Sequence, residues 1–423
     1  MTNDNFIHHT LQDLRGRGLY RALVAVGSAA GPRVRLGGRE VLQFASNNYL
    51  GLAADPRVKE AACRAVGRWG WGAGASRLLA GHTDAHAALE ADLAAFKGAQ
   101  AALVFPSGYA ANLGVLAALA GRGDAVVCDR EDHASIYDAV RLSGADLARY
   151  PHADAAAAAE LLRAAPAAPP RRDSAAAVAG RRHGEPESLK SEIRNLKKSL
   201  LVTDTVFSMG GDLAPLAALA GACRDAGAIL VVDEAHALGI LGPTGAGLVE
   251  ALQAGAAGAG VAGAVTASVG TLSKALGGVG GFVAARQEVI DLLVNRARPF
   301  IYTTALPAAA CEAARAALAI VRAEPERRRR VLALAARLRA RLRECGFDCG
   351  RSETPIVPVI VGQPEAALAI AGRLLDGGIF CPAVRPPTVP HGSSRLRVSL
   401  TSEHTEDDVE QLVRALAAAR AAT

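Results

Sequence analysis

The stretch Thr271-Leu272-Ser273-Lys274-Ala275-Leu276-Gly277-Gly278 stands between two short apolar runs, residues 264–269 and 281–285, that are typical of β-strands. Lys274 is surrounded by small residues and hydroxyls, and its own segment contains no carboxylate. Burial of such an amine favours its neutral form, which can act as a nucleophile. Taken alone, the octapeptide fits a surface lysine in a glycine-rich loop equally well.

The residues on either side of this stretch alternate between strand and helix patterns. Apolar runs at 101–105, 125–128, 200–203 and 229–232 are interspersed with helical patterns such as 110–119 and 214–226. This alternation predicts an α/β fold, with a mostly parallel sheet covered by helices on both faces. In such sheets the chemistry gathers beyond the carboxyl ends of the strands, where the polar motifs of this chain fall.

The ends of the chain differ from this middle part. An amphipathic helix is predicted over 8–26, followed by a hairpin around Gly37-Gly38, and from residue 306 long Ala/Leu/Arg helices lead into a small α+β unit. Residues 164–198, rich in Ala, Pro, Arg and later Lys and Glu, are predicted to be a flexible insertion. The predicted parts are an N-terminal segment, a large domain and a small C-terminal domain, at 1–45, 46–305 and 306–423.

Composition excludes several classes of protein. The chain has 423 residues and a formal charge of +6, with no basic stripe interleaved with aromatics, so we expect no nucleic-acid partner. The seven cysteines are dispersed and complete no zinc pattern, which favours a reducing cytoplasm. The polar N-terminus lacks a signal core, and the uncharged run 251–273 is too poor in Leu, Ile and Phe to span a membrane.

Three residues far apart in the sequence suggest one cofactor. Asp233 ends an apolar strand, His236 follows it, and a poorly solvated carboxylate there needs a cationic partner. With Lys274 they fit pyridoxal 5′-phosphate (PLP), because lysine can form an imine with its aldehyde and aspartate can hold its ring nitrogen protonated. The alternative, a metal site from Asp233, Glu234 and His236, lacks a second nearby histidine.

A phosphate site is predicted where Ser107-Gly108-Tyr109 joins a strand to a helix, because amides at a helix start bind anions. The hydroxyls of Ser208 and Thr271 could add donors, and His133 could stack on a flat ring. The glycine pattern at 258–263 precedes a strand instead of following one, so it does not indicate a dinucleotide site.

Five motifs resemble those of the α-oxoamine synthases, PLP enzymes of the aspartate-aminotransferase fold (fold type I). They are SGYAAN (107–112), DRxxHAS (129–135), TDTVFSMGGDLAPL (203–216), VVDEAHALGILGPTGAG (231–247) and TLSKALGGVGG (271–281). The resemblance runs over residues 44–400 and implies a homodimer with its active site at the subunit interface. The insertion 164–198, and Asp204 where relatives commonly have Glu, depart from the family pattern.

The resemblance also implies residue roles. The implied catalytic residues are Lys274, His133 and Asp233. Cofactor contacts are implied for Gly108, Tyr109, His133, Ser208, Asp233, His236, Thr271, Lys274 and Thr304, with Thr303 the other candidate for the partner's phosphate. Substrate contacts are implied for Arg21, Asn47, His133, Arg385 and Thr388, with Arg385 on the amino-acid carboxylate. No metal is expected.

Within the family, the loop RPPTVP (385–390) indicates a decarboxylative condensation of L-alanine with a pimeloyl thioester, a step of biotin synthesis. The acyl donor would be carried on acyl carrier protein or coenzyme A. Three alternatives stay open: the same chemistry with glycine and a short acyl-CoA, a PLP aminotransferase or lyase, and a binding protein without activity.

Overall fold

A computed structural model describes residues 3–17, 19–164, 198–255, 258 and 260–421. Its centre is a seven-stranded sheet in the order β3-β9-β8-β7-β6-β4-β5, in which β9 alone runs antiparallel to its neighbours. The strands are β3 Ala101–Phe105, β4 Ala125–Asp129, β5 Asp146–Tyr150, β6 Ser199–Asp204, β7 Ile229–Asp233, β8 Val265–Thr271 and β9 Gly281–Ala285.

Both faces of this sheet are buried, as a mostly parallel sheet requires. In β7, Leu230 and Val232 belong to one core cluster, whereas Val231 belongs to the cluster on the opposite face. The helices of the Val231 face are α4 Gly108–Leu119, α5 Ala134–Ser143, α10 Gln287–Arg296 and α11 Arg298–Ile301. The Leu230 face is covered in part by α3 Asp84–Lys97, α6 Ala155–Ala164 and α7 Leu216–Ala226.

Two smaller three-stranded sheets lie outside the central one. In the first, β1 and β2 form a hairpin, and β11 joins β2 in parallel, so the N-terminal hairpin is continued by a strand from the C-terminal part. In the second, β13 lies between β10 and β12. The strands are β1 Arg33–Leu36, β2 Arg39–Gln43, β10 Ile356–Gly362, β11 Ile379–Phe380, β12 Ala383–Val384 and β13 Ser394–Ser399.

The remaining helices flank these sheets or connect them. They are α1 Asn3–Gly16, α2 Pro56–Trp69, α8 Leu248–Gln253, α9 Val261–Ala264, α12 Ala308–Ala323, α13 Pro325–Glu344, α14 Pro364–Asp376 and α15 Glu406–Ala421. The sequence before α2 favours the start of a helix. Asp55 accepts a hydrogen bond from the Arg57 amide at 3.0 Å, and Pro56 occupies the first helical position. None of the helices among the described residues is long and apolar enough to cross a membrane.

The predicted α/β class with a mostly parallel sheet is confirmed, and each strand predicted for that sheet is present. One strand of this sheet was missed: β5 is an edge strand that carries Asp146 and Arg149 and has little burial. The helix predicted over 8–26 was wrong at both ends, since α1 begins at Asn3 and ends at Gly16. Most of the predicted insertion 164–198 lies outside the described residues, and the domain bounds stay a prediction.

Candidate active site

The carboxyl ends of β6 and β7, the start of α4 and the segment after β8 enclose a cavity of about 200 Å³. Seven of the predicted site residues line it, although they come from four separate motifs. Its lining is Ser107, Gly108, Tyr109, Asn112, His133, Ser135, Asp204, Asp233, Ala235, His236, Thr271, Ser273 and Lys274.

Strand alternation decides which acid of the Asp233-Glu234 pair faces the cavity. Asp233 continues the side of β7 that carries Val231, whereas Glu234 continues the side that carries Val232. The Glu234 carboxylate is fully buried, pairs with Lys97 at the end of α3, and accepts a hydrogen bond from the Ser268 hydroxyl at 3.0 Å. Asp233 therefore faces the site, and Glu234 is held on the opposite face of the sheet.

The Asp233 carboxylate is fixed by two donors. The Ala235 amide donates to Oδ1 at 2.8 Å, and the Asn112 side chain donates to Oδ2 at 2.7 Å. Asn112 lies four residues after Gly108 on α4, and the same Nδ2 also donates to the Ser135 hydroxyl at 2.9 Å. Sequence reasoning missed Asn112, although its place one turn along the helix that begins at Gly108 was a usable signal.

Ser135 determines which nitrogen of His133 carries the proton. The Ser135 amide, which can only donate, points at His133 Nδ1 at 3.3 Å, and the Ser135 hydroxyl lies 2.7 Å from the same nitrogen. Nδ1 is therefore an acceptor, and the neutral ring carries its proton on Nε2. Burial lowers the pKa of His133, which keeps the ring neutral near pH 7.

Lys274 contacts one of the two predicted histidines directly. Its Nζ lies 2.8 Å from Nε2 of His236, and Nδ1 of His236 lies 2.7 Å from the hydroxyl of Tyr49, a buried residue that the sequence analysis did not single out. Burial lowers the pKa of Lys274 to about 8, against an opposing effect of the Asp233 and Asp204 carboxylates. Burial also lowers the pKa of His236 well below its ordinary value.

Asp204 is a second acid of the cavity, paired with Asp233 in the register of β6 and β7. Its Oδ2 accepts a hydrogen bond from the His133 amide at 3.1 Å, which holds the turn before α5 against the end of β6. Burial, followed by the negative charge of Asp233, raises the pKa of Asp204 well above its ordinary value. Asp233, whose oxygens accept from the Ala235 amide and the Asn112 side chain, is therefore the acid of the pair that is better placed to meet a cation.

The predicted phosphate site has the geometry of an anion-binding helix start. Ser107 caps α4, its Oγ accepting from the Ala110 amide at 3.0 Å, so Gly108 and Tyr109 open the helix beside Thr271. A Cβ on Gly281 would come within 2.5 Å of the Gly108 nitrogen, so only glycine lets β9 approach this turn. The Tyr109 hydroxyl donates to Asp138 at 2.9 Å, and its side chain is 45% exposed.

Three predicted substrate residues meet in a separate cleft of about 720 Å³, which lies between residues 11–17 and 19–21 on one side and 383–388 on the other. Arg21 donates to the Thr388 hydroxyl at 3.2 Å, and Arg385 lines the same cleft. The loop that carries Arg385 follows β12, which pairs with β13. The structure thus groups Arg21, Arg385 and Thr388 together, apart from the lining of the Lys274 cavity.

Two further predicted residues meet an arginine that the sequence analysis missed. Arg397 of β13 is buried, and its guanidinium donates to Asn47 Oδ1 at 3.1 Å, to the Ser399 hydroxyl at 2.7 Å and to the Ser208 carbonyl. The cavity lining does not include Ser208. The only sequence signal for this position was an arginine between Leu396 and Val398 in a predicted strand.

Thr304 lies elsewhere in the chain. It pairs with Ser76 in an isolated bridge, and with Thr303 it lines a small crevice beside Arg77 and Pro106, outside the cavity lining. Its predicted contact with the partner's phosphate is untested by the single chain. Among the described residues, no group of three His, Cys, Asp or Glu side chains could hold a metal ion, and Glu234 faces away from Asp233 and His236.

The family model for aminotransferases of class I and II matches residues 39–416, and the chain belongs to that family. Within it the chain is an α-oxoamine synthase, as its motifs predicted. Over 98% of its length it is 49% identical to an 8-amino-7-oxononanoate synthase of Anaeromyxobacter dehalogenans (strain 2CP-1), covering 95% of that protein.

Solved structures agree with this assignment. A serine palmitoyltransferase of S. paucimobilis with a bound PLP–myriocin aldimine matches with a TM-score of 0.84 and 30% identity, over 98% of this chain and 97% of that one. An 8-amino-7-oxononanoate synthase of Francisella tularensis matches with a TM-score of 0.70 and 25% identity, over 89% and 97% of the respective chains.

The cavity fits PLP by the chemistry of its donors. A carboxylate, Asp233, is present for a protonated ring nitrogen, and an amine of lowered pKa, Lys274, is present for an aldehyde. The start of α4 offers backbone amides to a phosphate, with the Thr271 hydroxyl beside them. His133 supplies a flat, neutral ring.

Proposed function

We propose that this protein is an 8-amino-7-oxononanoate synthase that uses PLP to condense L-alanine with a pimeloyl thioester. The products are 8-amino-7-oxononanoate, carbon dioxide and the free thiol of the carrier. The observation that carries the proposal is the convergence of Lys274, Asp233, His133 and His236 on one cavity, in a chain 49% identical to such a synthase over nearly its whole length.

The bound cofactor would supply an aldehyde that condenses with amines and a pyridine ring that withdraws electrons from the adjacent carbon. Asp233, which two donors already hold in place, would accept the ring N–H. Lys274 would bind the aldehyde carbon in the resting enzyme. Once released, its amine can take the Cα proton of alanine and return it, because an amine with a pKa of about 8 exists in both forms near neutral pH.

Arg397 is the strongest candidate to bind the alanine carboxylate. Its guanidinium is buried near Lys274, whose pKa its charge helps to lower, and its hydrogen-bond partners are an amide oxygen, a hydroxyl and a carbonyl, all uncharged. A buried guanidinium with uncharged partners gains most from a carboxylate. Arg385, predicted for this role from the sequence, lies in the other cleft and is better placed to meet the acyl donor.

The cleft that contains Arg21, Arg385 and Thr388 suits an acyl chain on an anionic carrier. Leu11 and Leu14 offer apolar surface, whereas Arg17, Arg21 and Arg385 offer positive charge. Both coenzyme A and acyl carrier protein present phosphate groups, so the cleft is compatible with either carrier.

The high structural similarity to a serine palmitoyltransferase favours a second candidate function, condensation of serine with a long acyl thioester. The chain is 30% identical to that transferase but 49% identical to the 8-amino-7-oxononanoate synthase, so we rank alanine above serine as the substrate. The third candidate function is the alternative taken from the sequence, the condensation of glycine with a short acyl-CoA.

One assay separates these candidates. Purified protein loaded with PLP is incubated with alanine, glycine or serine and with pimeloyl-CoA, pimeloyl-acyl carrier protein, acetyl-CoA or palmitoyl-CoA, and thiol and carbon dioxide are measured. We expect equal release of both from alanine with a pimeloyl donor, and none from Lys274→Arg. Preference for serine with palmitoyl-CoA, or thiol release without carbon dioxide, would overturn the proposal.

The active enzyme is proposed to be a homodimer. The segment around the Ser76–Thr304 bridge exposes several large apolar side chains, with Trp71 75%, Leu79 83% and Tyr302 71% exposed. A second copy of the chain would cover this surface and could bring Thr303 or Thr304 to the partner's phosphate. The cytoplasm, expected from the sequence, stays a prediction.

A further inference from the structure

A hydrogen-bonded chain leads from Lys274 to the C-terminal sheet through residues of four separate segments. Lys274 Nζ contacts His236 Nε2, His236 Nδ1 contacts the Tyr49 hydroxyl, and that hydroxyl donates to Asn47 Oδ1 at 3.2 Å. Arg397 donates to the same Asn47 oxygen at 3.1 Å. All the residues of this chain are buried or half-buried.

The arginine end of the chain fixes the direction of its bonds. A guanidinium can only donate, so the Asn47 atom that faces Arg397 must be the carbonyl oxygen, an acceptor. The single hydroxyl proton of Tyr49 therefore has two acceptors within reach, Asn47 Oδ1 at 3.2 Å and His236 Nδ1 at 2.7 Å. The position of this one proton distinguishes two states of the chain.

Each state matches one protonation state of the lysine. A charged Lys274 has only donors, so His236 Nε2 must accept, Nδ1 must carry the ring proton, and the Tyr49 hydroxyl must turn towards Asn47. With a neutral Lys274, the Tyr49 hydroxyl can take its shorter bond to Nδ1, and Nε2–H then donates to the amine lone pair. His236 is neutral in both states.

We propose that Tyr49 is a positioning residue for the Lys274 chemistry, and that its hydroxyl sets the tautomer of His236 and through it the protonation of the lysine amine. The inference rests on the proposed role of Lys274 as the reacting amine. No other residue among those described contacts His236 Nδ1 by a hydrogen bond, so no second group can substitute for the hydroxyl. The two states differ by one proton, which Lys274 gives to or takes from its reaction partner while the imidazole proton changes nitrogen, so that His236 stays neutral.

The test uses cofactor-free protein, so it does not depend on which substrate the enzyme takes. Lys274 is acetylated by trace acetic anhydride across pH 6–11, and its labelling is read by peptide mass spectrometry. Other groups that face Lys274 and His236 are Asp233, Asp204, His133 and Arg397, and all stay in place in the Tyr49→Phe variant. The matched control is Tyr150→Phe, which removes the hydroxyl of a tyrosine that is equally buried and lies outside the cavity lining.

We expect the labelling midpoint in Tyr49→Phe to move to lower pH by about one unit. Without the hydroxyl, Nδ1–H has no acceptor when Lys274 is charged, and a buried unsatisfied donor costs enough to produce a shift of that size. An unchanged midpoint, or an equal shift in Tyr150→Phe, would overturn the proposal.

A second measurement needs no variant of Tyr49. Long-range ¹H–¹⁵N correlation spectra of wild-type protein with labelled histidine report the His236 tautomer, and the signals are assigned with His236→Gln. We expect the ring proton of His236 to lie on Nδ1 below pH 8 and on Nε2 above pH 8. The same tautomer on both sides of the lysine titration would overturn the proposal, whatever substrate the enzyme proves to use.

Discussion

The reactivity that we propose for Lys274 comes from the residues that surround it and from its burial in the fold. Its own segment supplies no carboxylate, and burial disfavours its charged form, so its pKa falls to about 8 although Asp233 and Asp204 oppose the shift. The residues that hold Asp233, His133 and His236 in place are Asn112, Ser135 and Tyr49, none of which reacts under the proposed mechanism.

Asn112 provides the first prediction at this scale. In Asn112→Leu the Asp233 carboxylate loses a donor at 2.7 Å, and a hydrogen bond to a charged group contributes about 1.5–3 kcal/mol. We expect the dissociation constant for PLP, measured by absorbance titration of cofactor-free protein, to rise about 10- to 100-fold. Asn295→Leu, a change of an exposed asparagine on α10, is the control, and equal affinity in the two variants would disprove the role of Asn112.

Sequence reasoning at this scale found the residues that carry distinctive chemistry and missed those that support them. Lys274, Asp233 and His133 stand at strand ends, where the α/β pattern already predicts a site. Tyr49 and Arg397 belong to segments that reach the cavity only through tertiary packing. Spacing along the chain carries no information about such contacts.

Among the elements, the turn after β7 depends on a buried ion pair that ties it to α3. Glu234 is fully buried, pairs with Lys97, and accepts from the Val249 amide at 3.1 Å and from Ser268. The pair fixes the backbone next to Asp233 from the opposite face of the sheet. Breaking it would leave a buried charge without its partner.

We therefore predict that Lys97→Met lowers the free energy of unfolding by about 3–5 kcal/mol, measured by urea denaturation. The double variant Lys97→Met with Glu234→Gln should recover a large part of this loss, because no charge is then left buried. Arg64→Met, which breaks an exposed pair with Glu60, should cost less than about 1 kcal/mol. If Lys97→Met lowered the free energy of unfolding as little as Arg64→Met does, the buried pair would not hold the turn.

The predictability of the elements follows from their burial. Strands such as β7 and β9 are buried along their length and read as apolar runs, so the sequence predicts them directly. Strand β5 lies at the sheet edge and carries Asp146 and Arg149, so its pattern resembled a loop. Leu19 and Leu23 continued the apolar period of α1, although Gly16 had already ended the helix.

At the scale of the whole molecule, the central sheet and the β10–β13–β12 sheet carry different parts of the site. Lys274 and Asp233 belong to segments of the central sheet, whereas Arg397 comes from β13 and Asn47 from the segment after the N-terminal hairpin. This division is compatible with the predicted large and small domains, whose bounds remain a prediction. The amino acid would bind where these parts meet.

The proposed dimer gives a prediction at the same scale. Wild-type protein should have the mass of two chains by light scattering at micromolar concentration. Leu79→Glu should shift it towards one chain and weaken association at least about 10-fold, because a carboxylate would be buried without a partner. Leu368→Glu on α14, 41% exposed, is the control. A monomeric wild type, or a dimer that tolerates Leu79→Glu, would place the interface elsewhere.

The central claim is that one lysine amine, held opposite Asp233, binds the aldehyde of PLP. Protein incubated with PLP, reduced with borohydride and digested should yield a phosphopyridoxyl group on the peptide that contains Lys274, at about one group per chain. Asp233→Asn should lower this yield at limiting PLP. A label on any other lysine, or none on Lys274, would contradict the account.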